Sequence, residues 1–172
     1  WNYTTGFGVD SSPAVVGGLV YVGSEDGKIY CLNAITGALF WTYTTGAPVV
    51  YSSPTAVGGS VYVGSQDGKI YCLNAATGAL TWSYTTGSYV ESSPAVVRGL
   101  VYVGSDDGKI YCLNAITGAL VWTYTTGSWS RSSPAIIGGL VYVGSMDGKF
   151  YCLDAATGSL VWSYTTGSSV HA

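Results

Sequence analysis

Charge is what this sequence has least of. Only 9% of its 172 residues are Asp, Glu, Lys or Arg, against about 25% in an average domain. Lys and Arg total six, and four of them are one repeated residue, Lys28, Lys69, Lys109 and Lys149. With a net charge of −3 there is no basic stripe to neutralise phosphates, so a nucleic-acid partner is not expected. No apolar run approaches the about 20 residues that span a bilayer, so membrane insertion is not expected either. The one histidine, His171, is penultimate. That leaves no Ser/His/Asp set and no other catalytic constellation, and the reading is of a protein that is not an enzyme. Asp10 and Glu91 would serve as a glycosidase pair only if the fold brought them within about 5–10 Å. The four cysteines stand 41, 40 and 40 residues apart. Zinc ligands usually come in pairs about two to four residues apart, and a disulfide needs Cα atoms within about 7 Å. The expectation is buried free thiols acting as small apolar residues, with no metal and no cofactor. Turns such as Ser24-Glu25-Asp26-Gly27 lack the further carboxylates of a calcium loop.

What is abundant is aromatic and small: 15 Tyr, 6 Trp and 25 Gly, a composition suited to a pleated, half-buried sheet. It is also periodic. Trp1, Trp41, Trp82, Trp122 and Trp162 keep the same beat as the cysteines, and residues 9–46 and 90–127 differ at only four of 38 positions. Such identity points to recent duplication or to design. Each unit is punctuated into four strands. Val15-Val16 leads to the hairpin signal Gly17-Gly18. Leu19–Ser24 is short and apolar, Asp26-Gly27 turns the chain again, Lys28–Asn33 is the third strand, and Thr36-Gly37 precedes the alternating strand Leu39–Thr44. Repeated four-stranded units of about forty residues predict an all-β propeller. One such sheet cannot bury both faces alone, so neighbouring blades must cover them. The chain reads as one propeller or half-propeller domain, 1–172. Its repeats are about 7–46, 47–87, 88–127 and 128–167, with an extra outer-strand copy at 1–6 and a partial repeat start at 168–172. The abrupt opening at Trp1 and the stop at Val170-His171-Ala172 suggest a trimmed or processed segment of a longer chain.

The stretch Cys31-Leu32-Asn33-Ala34-Ile35-Thr36-Gly37-Ala38-Leu39-Phe40-Trp41 resembles the tryptophan-docking motif of the quinoprotein-like propeller family, which includes quinone-dependent dehydrogenases and outer-membrane-assembly lipoproteins. The resemblance recurs in all four repeats. It implies that Trp41, Trp82, Trp122 and Trp162 pack between adjacent blades, and that Asn33, Asn74, Asn114 and Asp154 tie the turn before the fourth strand. It implies eight blades per ring, of which this chain supplies half. The adjacent-cysteine disulfide, catalytic acid and calcium ligands of the quinone enzymes have no counterpart, and neither has the lipoprotein's anchor cysteine. The chain is similar to the repeat without the enzyme.

Where the repeats disagree is where a binding role would be written. Just before each Ser-Ser-Pro, or its equivalent, stand Asp10, Tyr51, Glu91, Arg131 and His171, and two to three residues upstream Phe7, Pro48, Tyr89, Trp129 and Ser169. This segment joins the outer strand of one blade to the inner strand of the next, at the mouth of the channel. A constant frame with a varied connection suits a recognition surface. Asp10, Tyr51, Glu91, Arg131, Tyr89 and Trp129 are the candidate contacts for a glycan or peptide. A second variable series, Glu25, Gln66, Asp106 and Met146, lies in tight turns and is expected to be plain surface.

The competing reading is a structural assembly unit, or an amplified propeller with no ligand. It rests on counting: five Trp-Xaa-Tyr-Thr-Thr-Gly copies serve four blades. The spare copy could be redundant, could let two chains complete an eight-bladed ring, or could add to a neighbouring molecule's edge. The homodimeric ring is favoured by blade geometry and two-fold symmetry. Richness in Tyr, Thr, Ser and Gly suits an extracytoplasmic protein, periplasmic or on the cell surface.

Overall fold

The computed structural model describes residues 1–170, and His171 lies outside them. Sixteen strands fall into four antiparallel sheets, each with its strands in chain order. The first blade is β1 (Ala14–Val16), β2 (Leu19–Gly23), β3 (Lys28–Asn33) and β4 (Leu39–Thr44). The second is β5 (Thr55–Val57), β6 (Ser60–Gly64), β7 (Lys69–Asn74) and β8 (Leu80–Thr85). The third is β9 (Ala95–Val97), β10 (Leu100–Gly104), β11 (Lys109–Asn114) and β12 (Leu120–Thr125). The fourth is β13 (Ala135–Ile137), β14 (Leu140–Ser145), β15 (Lys149–Asp154) and β16 (Leu160–Thr165). The inner strands β1, β5, β9 and β13 follow one another around a common axis. The four-bladed all-β propeller architecture is as the repeats imply, and no helix is long and apolar enough to cross a membrane.

The packing follows from the pleat. Successive side chains on a strand point to opposite faces, so Ile29 and Cys31 face one neighbour while Tyr30 and Leu32 face the other. Cross-strand register sets Tyr21, Cys31 and Trp41 in one row. That row, with Ile29 and Val49, packs against Val61, Val63, Tyr71 and Leu73 of the second blade. The same set recurs between the second and third blades and between the third and fourth. This is why β3, β7 and β11 are apolar at every interior position: both of their faces are covered. Cys31, Cys72 and Cys112 sit in these interfaces and Cys152 in the equivalent row of the fourth blade, all as buried free thiols, and burial pushes the Cys31 thiol up to about 11.

Two polar devices lock each interface, and a third closes the turn before the outer strand within each blade. The Trp41 indole donates to the Ala75 carbonyl at 3.0 Å, and its ring lies where a Cβ on Gly78 would come within 2.6 Å of it. Gly78 also has φ +73°, so the Thr-Gly of the motif is required both by backbone conformation and by the ring above it. Trp82 and Trp122 repeat this on Ala115 and Ala155. The Asn33 side chain accepts from the Ile35 and Thr36 amides and closes the turn before β4, as expected. Near the axis, Ser-Ser-Pro proves to be a belt. The Ser12 amide donates to Ser53 Oγ, Ser53 to Ser93 and Ser93 to Ser133.

The structure corrects one docking assignment. Trp162 does not pack between blades: it is 44% exposed, against 8% for Trp82, because no blade follows it among the described residues. The opposite end is covered. Residues 1–6 form no strand, yet Trp1 donates to the Ala34 carbonyl at 3.2 Å and lies over Gly37. Tyr3 packs edge-on to Tyr30 at 5.7 Å, and the Gly6 amide donates to Asp26 at 2.9 Å.

Two predictions arise from strain and charge. The β1–β2 hairpin turn needs positive φ at both central residues, as Gly17 and Gly18 show; in the third blade Arg98 sits there at φ 52°. A left-handed non-glycine residue costs about 1–2 kcal/mol, partly offset by the extra unfolded-state entropy of glycine. Arg98→Gly should stabilise the chain by about 0.5–1 kcal/mol, read as a higher urea midpoint at unchanged slope. Asp147 accepts from Tyr151, the Lys149 amide and the Gly127 amide. Burial opposes its ionisation, but these bonds outweigh burial and hold its carboxyl below the usual value. Its contribution is therefore full above the unfolded carboxyl value of about 4 and is lost as pH falls through the lower folded value. Asp147→Asn should flatten the loss of stability between about pH 4 and pH 2, measured by urea titration across that range.

Candidate functional site

Antiparallel order decides which loops share a face. Strands one and three of a blade run one way, two and four the other. The turn between strands two and three therefore emerges on the same face as the connection to the next blade. Both variable series lie on this face. The two hairpin turns on the opposite face carry the repeated Gly-Gly and Thr-Gly sequences.

Near the axis of the varied face is a cavity of about 380 Å³, lined by Asp10, Tyr51, Glu91 and Arg131 together with Ser12, Ser53, Ser93 and Ser133. Four of the six candidate residues are brought into one wall. The serines were not anticipated as part of it. Their signal was present in the Ser-Ser-Pro repeat beside every varied position, but it reads as a strand start until the ring is formed. Tyr89 and Trp129 lie outside the cavity on the same face, about half exposed. The Tyr89 and Trp129 carbonyls accept from the Asp106 and Met146 amides.

The charged residues form a network. Arg131 meets Asp106 through two nitrogens, at 3.0 and 2.6 Å, and Glu91 at 3.1 Å. The other oxygen of Glu91 accepts from Gln66 at 2.8 Å. Glu91 is only 6% exposed; its ion-paired oxygen receives no well-directed hydrogen bond, so the contact with Arg131 is electrostatic in character. The Asp106 bond and the two carboxylates outweigh burial and raise the guanidinium further. Arg131 also lies 4.5 Å over the Trp129 ring, a cation–π contact. Gln66 and Asp106 belong to the second series, and the expectation that this series is plain surface is wrong for them. Each reaches the varied residue of the following blade. Strand parity puts the two loops side by side, and sequence spacing alone does not show it.

The first blade differs. Asp10 and Glu25 approach each other, with no cation between them among the described residues, and the neighbouring Asp10 carboxyl raises the Glu25 carboxyl. Tyr51 owes its place to the one-residue insertion in the second repeat. The Ser52 amide donates to the Val50 carbonyl at 2.7 Å, a tight turn that holds Tyr51 at φ 62° with its side chain exposed. A positive-φ turn of this kind is strained.

A second cavity, about 320 Å³, lies between the third and fourth blades on the opposite face, lined mainly by Val97, Leu100, Ile136, Ile137 and hairpin backbone. Its charged groups are Arg98 and Asp154, and Asp154 is engaged in its own turn. The varied face carries the richer chemistry. Among the described residues no three His, Cys, Asp or Glu side chains stand together as metal ligands.

Comparison with known proteins bears on this geometry. The profile of the family described as outer membrane protein assembly factor BamB matches residues 1–93 and again 66–172. BamB from Moraxella catarrhalis superposes with TM-score 0.85 at 25% identity, over 96% of this chain and 55% of its own. A europium-containing methanol dehydrogenase superposes with TM-score 0.84 at 18% identity, over 98% of this chain and 44% of its own. The quinohemoprotein alcohol dehydrogenase ADHIIG from Pseudomonas putida HK5 gives 0.81 at 21%, over 97% and 36%. The two dehydrogenases share the fold. The chain thus spans about half the length of the first of these, and less of the others. No curated protein sequence matches it.

The network makes a graded prediction. Asp106→Ala removes one charged partner and should cost about 1–3 kcal/mol. Arg131→Ala leaves Asp106 and Glu91 facing each other without a cation. It should cost about 2–4 kcal/mol, tempered by the partial solvation of Arg131. Equal and negligible losses in urea unfolding would mean that the network carries no stability.

Proposed function

We propose, from the premise that this chain belongs to the BamB-like family of propeller-repeat proteins, that it is a non-enzymatic binding module. It takes an extended peptide on its varied face. The observation that carries this reading is the convergence of all four described pre-Ser-Ser-Pro residues, with four serines, on one cavity. Binding needs only complementary surface. Catalysis needs a nucleophile or a poised acid–base pair, and Glu91 is instead committed to Arg131 and Gln66.

The charge of the face favours a cationic or donor-rich ligand. Among the described residues, Asp10, Glu25, Glu91 and Asp106 on this face are opposed by one cation, Arg131. Asp10 and Glu25 are the pair whose mutual repulsion a ligand's Lys, Arg or backbone amide would relieve. Four serine hydroxyls and the exposed rings of Tyr51, Tyr89 and Trp129 supply hydrogen bonds and stacking surface. A neutral glycan would use the same hydroxyls and rings and could donate its own hydroxyls to the carboxylates, but it would leave their charge uncompensated. An extracytoplasmic location, in the periplasm or at the cell surface, goes with this reading. It is the setting that the name of the outer-membrane assembly factor carries.

The test is calorimetric titration with basic peptides, acidic peptides and neutral oligosaccharides. Basic peptides should bind, and Asp10→Asn and Trp129→Ala should each weaken them at least about tenfold, a loss of about 1.4 kcal/mol. Neither substitution touches the blade interfaces: Asp10→Asn should not lower the unfolding midpoint, and Trp129→Ala should lower stability only by the about 0.5–1 kcal/mol of its cation–π contact with Arg131. Arg131→Ala is the poorer probe because it disturbs the network. Binding of oligosaccharides alone would move the assignment to a glycan. Binding indifferent to both substitutions would remove the varied face as the site.

A further inference from the structure

We infer that the outward face of the fourth blade docks on the first blade of a second copy of this chain, so that two chains close one ring of eight blades. This rests on the blade interfaces and is independent of any ligand on the varied face.

The fourth blade carries an unused docking set. Its row is Tyr142, Cys152 and Trp162, the counterpart of Tyr21, Cys31 and Trp41. Phe150 replaces the isoleucine of the other blades and enlarges the apolar surface. Tyr142, Phe150 and Trp162 pack on one another at 6.1–6.4 Å, yet β16 is exposed along its whole length. In the other three blades the same row is buried by a Val, Val, Tyr, Leu set on the next blade. The tryptophan there donates to an alanine carbonyl. The polar devices are unmet as well. A Cβ on Gly167 would touch nothing, whereas Gly46, Gly87 and Gly127 lie against an aspartate of the next blade. The serine belt runs from Ser12 to Ser133, and the Ser133 amide meets no fifth serine among the described residues.

The matching receptor is on this same chain, at its other end. The first blade presents Val20, Val22, Tyr30 and Leu32, the counterparts of Val61, Val63, Tyr71 and Leu73. It also presents the Ala34 carbonyl, Gly37 and Asp26. That these are a working dock is shown by residues 1–6, which occupy it with the same contacts. Trp1-Asn2-Tyr3-Thr4-Thr5-Gly6 and Trp162-Ser163-Tyr164-Thr165-Thr166-Gly167 differ at one position. Residues 1–6 therefore stand where the outer strand of a preceding blade would stand. They supply one strand's worth of cover, and Trp1 remains 63% exposed. A fourth blade from a second copy would bring all four strands to the dock and displace them.

Curvature selects two copies. This arc of four blades superposes over 96% of its length on 55% of the BamB chain with TM-score 0.85; with the eight blades per ring that the family resemblance implies, four blades of this curvature make half a ring and two head-to-tail junctions close it. A closed pair leaves no free end for polymerisation.

The experiment is sedimentation velocity of the 172-residue chain over a range of micromolar concentrations, with two variants. The parent should run as one species at twice the 17.8 kDa chain mass. Trp162→Ala should fall to a single chain's mass with its β circular dichroism intact, since within one chain Trp162 packs on Tyr142 and Phe150 at the surface of its own blade and belongs to no inter-blade core. Deletion of residues 1–6 should leave the pair intact and shift its dissociation to lower concentration, because the competing strand is gone. A monomeric parent would show that the exposed face serves some other occupant and would overturn the inference. So would a Trp162→Ala chain that still pairs, or a ladder of larger species in place of one.

Discussion

Everything in this molecule depends on one contact, made three times: the tryptophan of a fourth strand lying on the Thr-Gly turn of the next blade. The contact is demanding. It needs a glycine with positive φ, no Cβ beneath the ring, and an alanine carbonyl aimed at the indole nitrogen. It is also productive, because a buried tryptophan removes about 150–250 Å² from water and satisfies its only polar atom in the same step. The Asn-closed turn, the bulge between the third and fourth strands and the Tyr-Cys-Trp row all serve to present that ring and that carbonyl. A blade has no other way to cover its two faces, so the stability of the chain is close to a sum over neighbouring pairs. The ends are where that sum is incomplete.

Because the frame is held by side chains inside the interfaces, the loops on the varied face are free to differ. Here they have done so unequally. The second, third and fourth blades are tied across the top by Gln66, Glu91, Asp106 and Arg131, a run of polar and charged groups that partner one another. The first blade has Asp10 and Glu25, which repel. A self-satisfied network makes a rigid wall, and an unsatisfied acidic pair makes an edge that an incoming cation would stabilise. The strained turn at Tyr51 stands between these two regions. That strain comes from the one-residue insertion of the second repeat, and the blade interfaces of the other repeats form without it.

Much of the frame was legible in the sequence because its signals are local. Glycine pairs, Asp-Gly and Thr-Gly mark turns that depend on a few adjacent residues, and the forty-residue beat leaves few architectures that could use them. The cysteines were legible by elimination, since their spacing suits neither zinc nor a disulfide. The convergence of Asp10, Tyr51, Glu91 and Arg131 followed from their equivalent places in the repeat. What was not legible lies between blades. That Gln66 reaches Glu91, and Asp106 reaches Arg131, depends on the side-by-side placement of two loops 25 residues apart. The serine belt depends on the radius at which the inner strands meet. The exposure of Trp162 is a property of position in the array, and no inspection of its own repeat could distinguish it from Trp122.

That last point exposes a tension in building from near-identical units. Identical interfaces cannot discriminate among partners: any outward face fits any inward face, whether on the same chain, on another, or on a single spare strand. Selection must then come from tethering and from area. Residues 1–6 have the advantage of attachment, which gives them a high effective concentration at the first blade, but they cover it with one strand. A whole blade lacks the tether and brings the full apolar row, the tyrosine hydroxyl, the serine belt and the strand together. Burial scales with area at roughly 25 cal/mol per Å², whereas the tether acts only through an effective concentration. On this reckoning the larger surface would prevail once chain concentration is high enough, with residues 1–6 as a cap that yields to it.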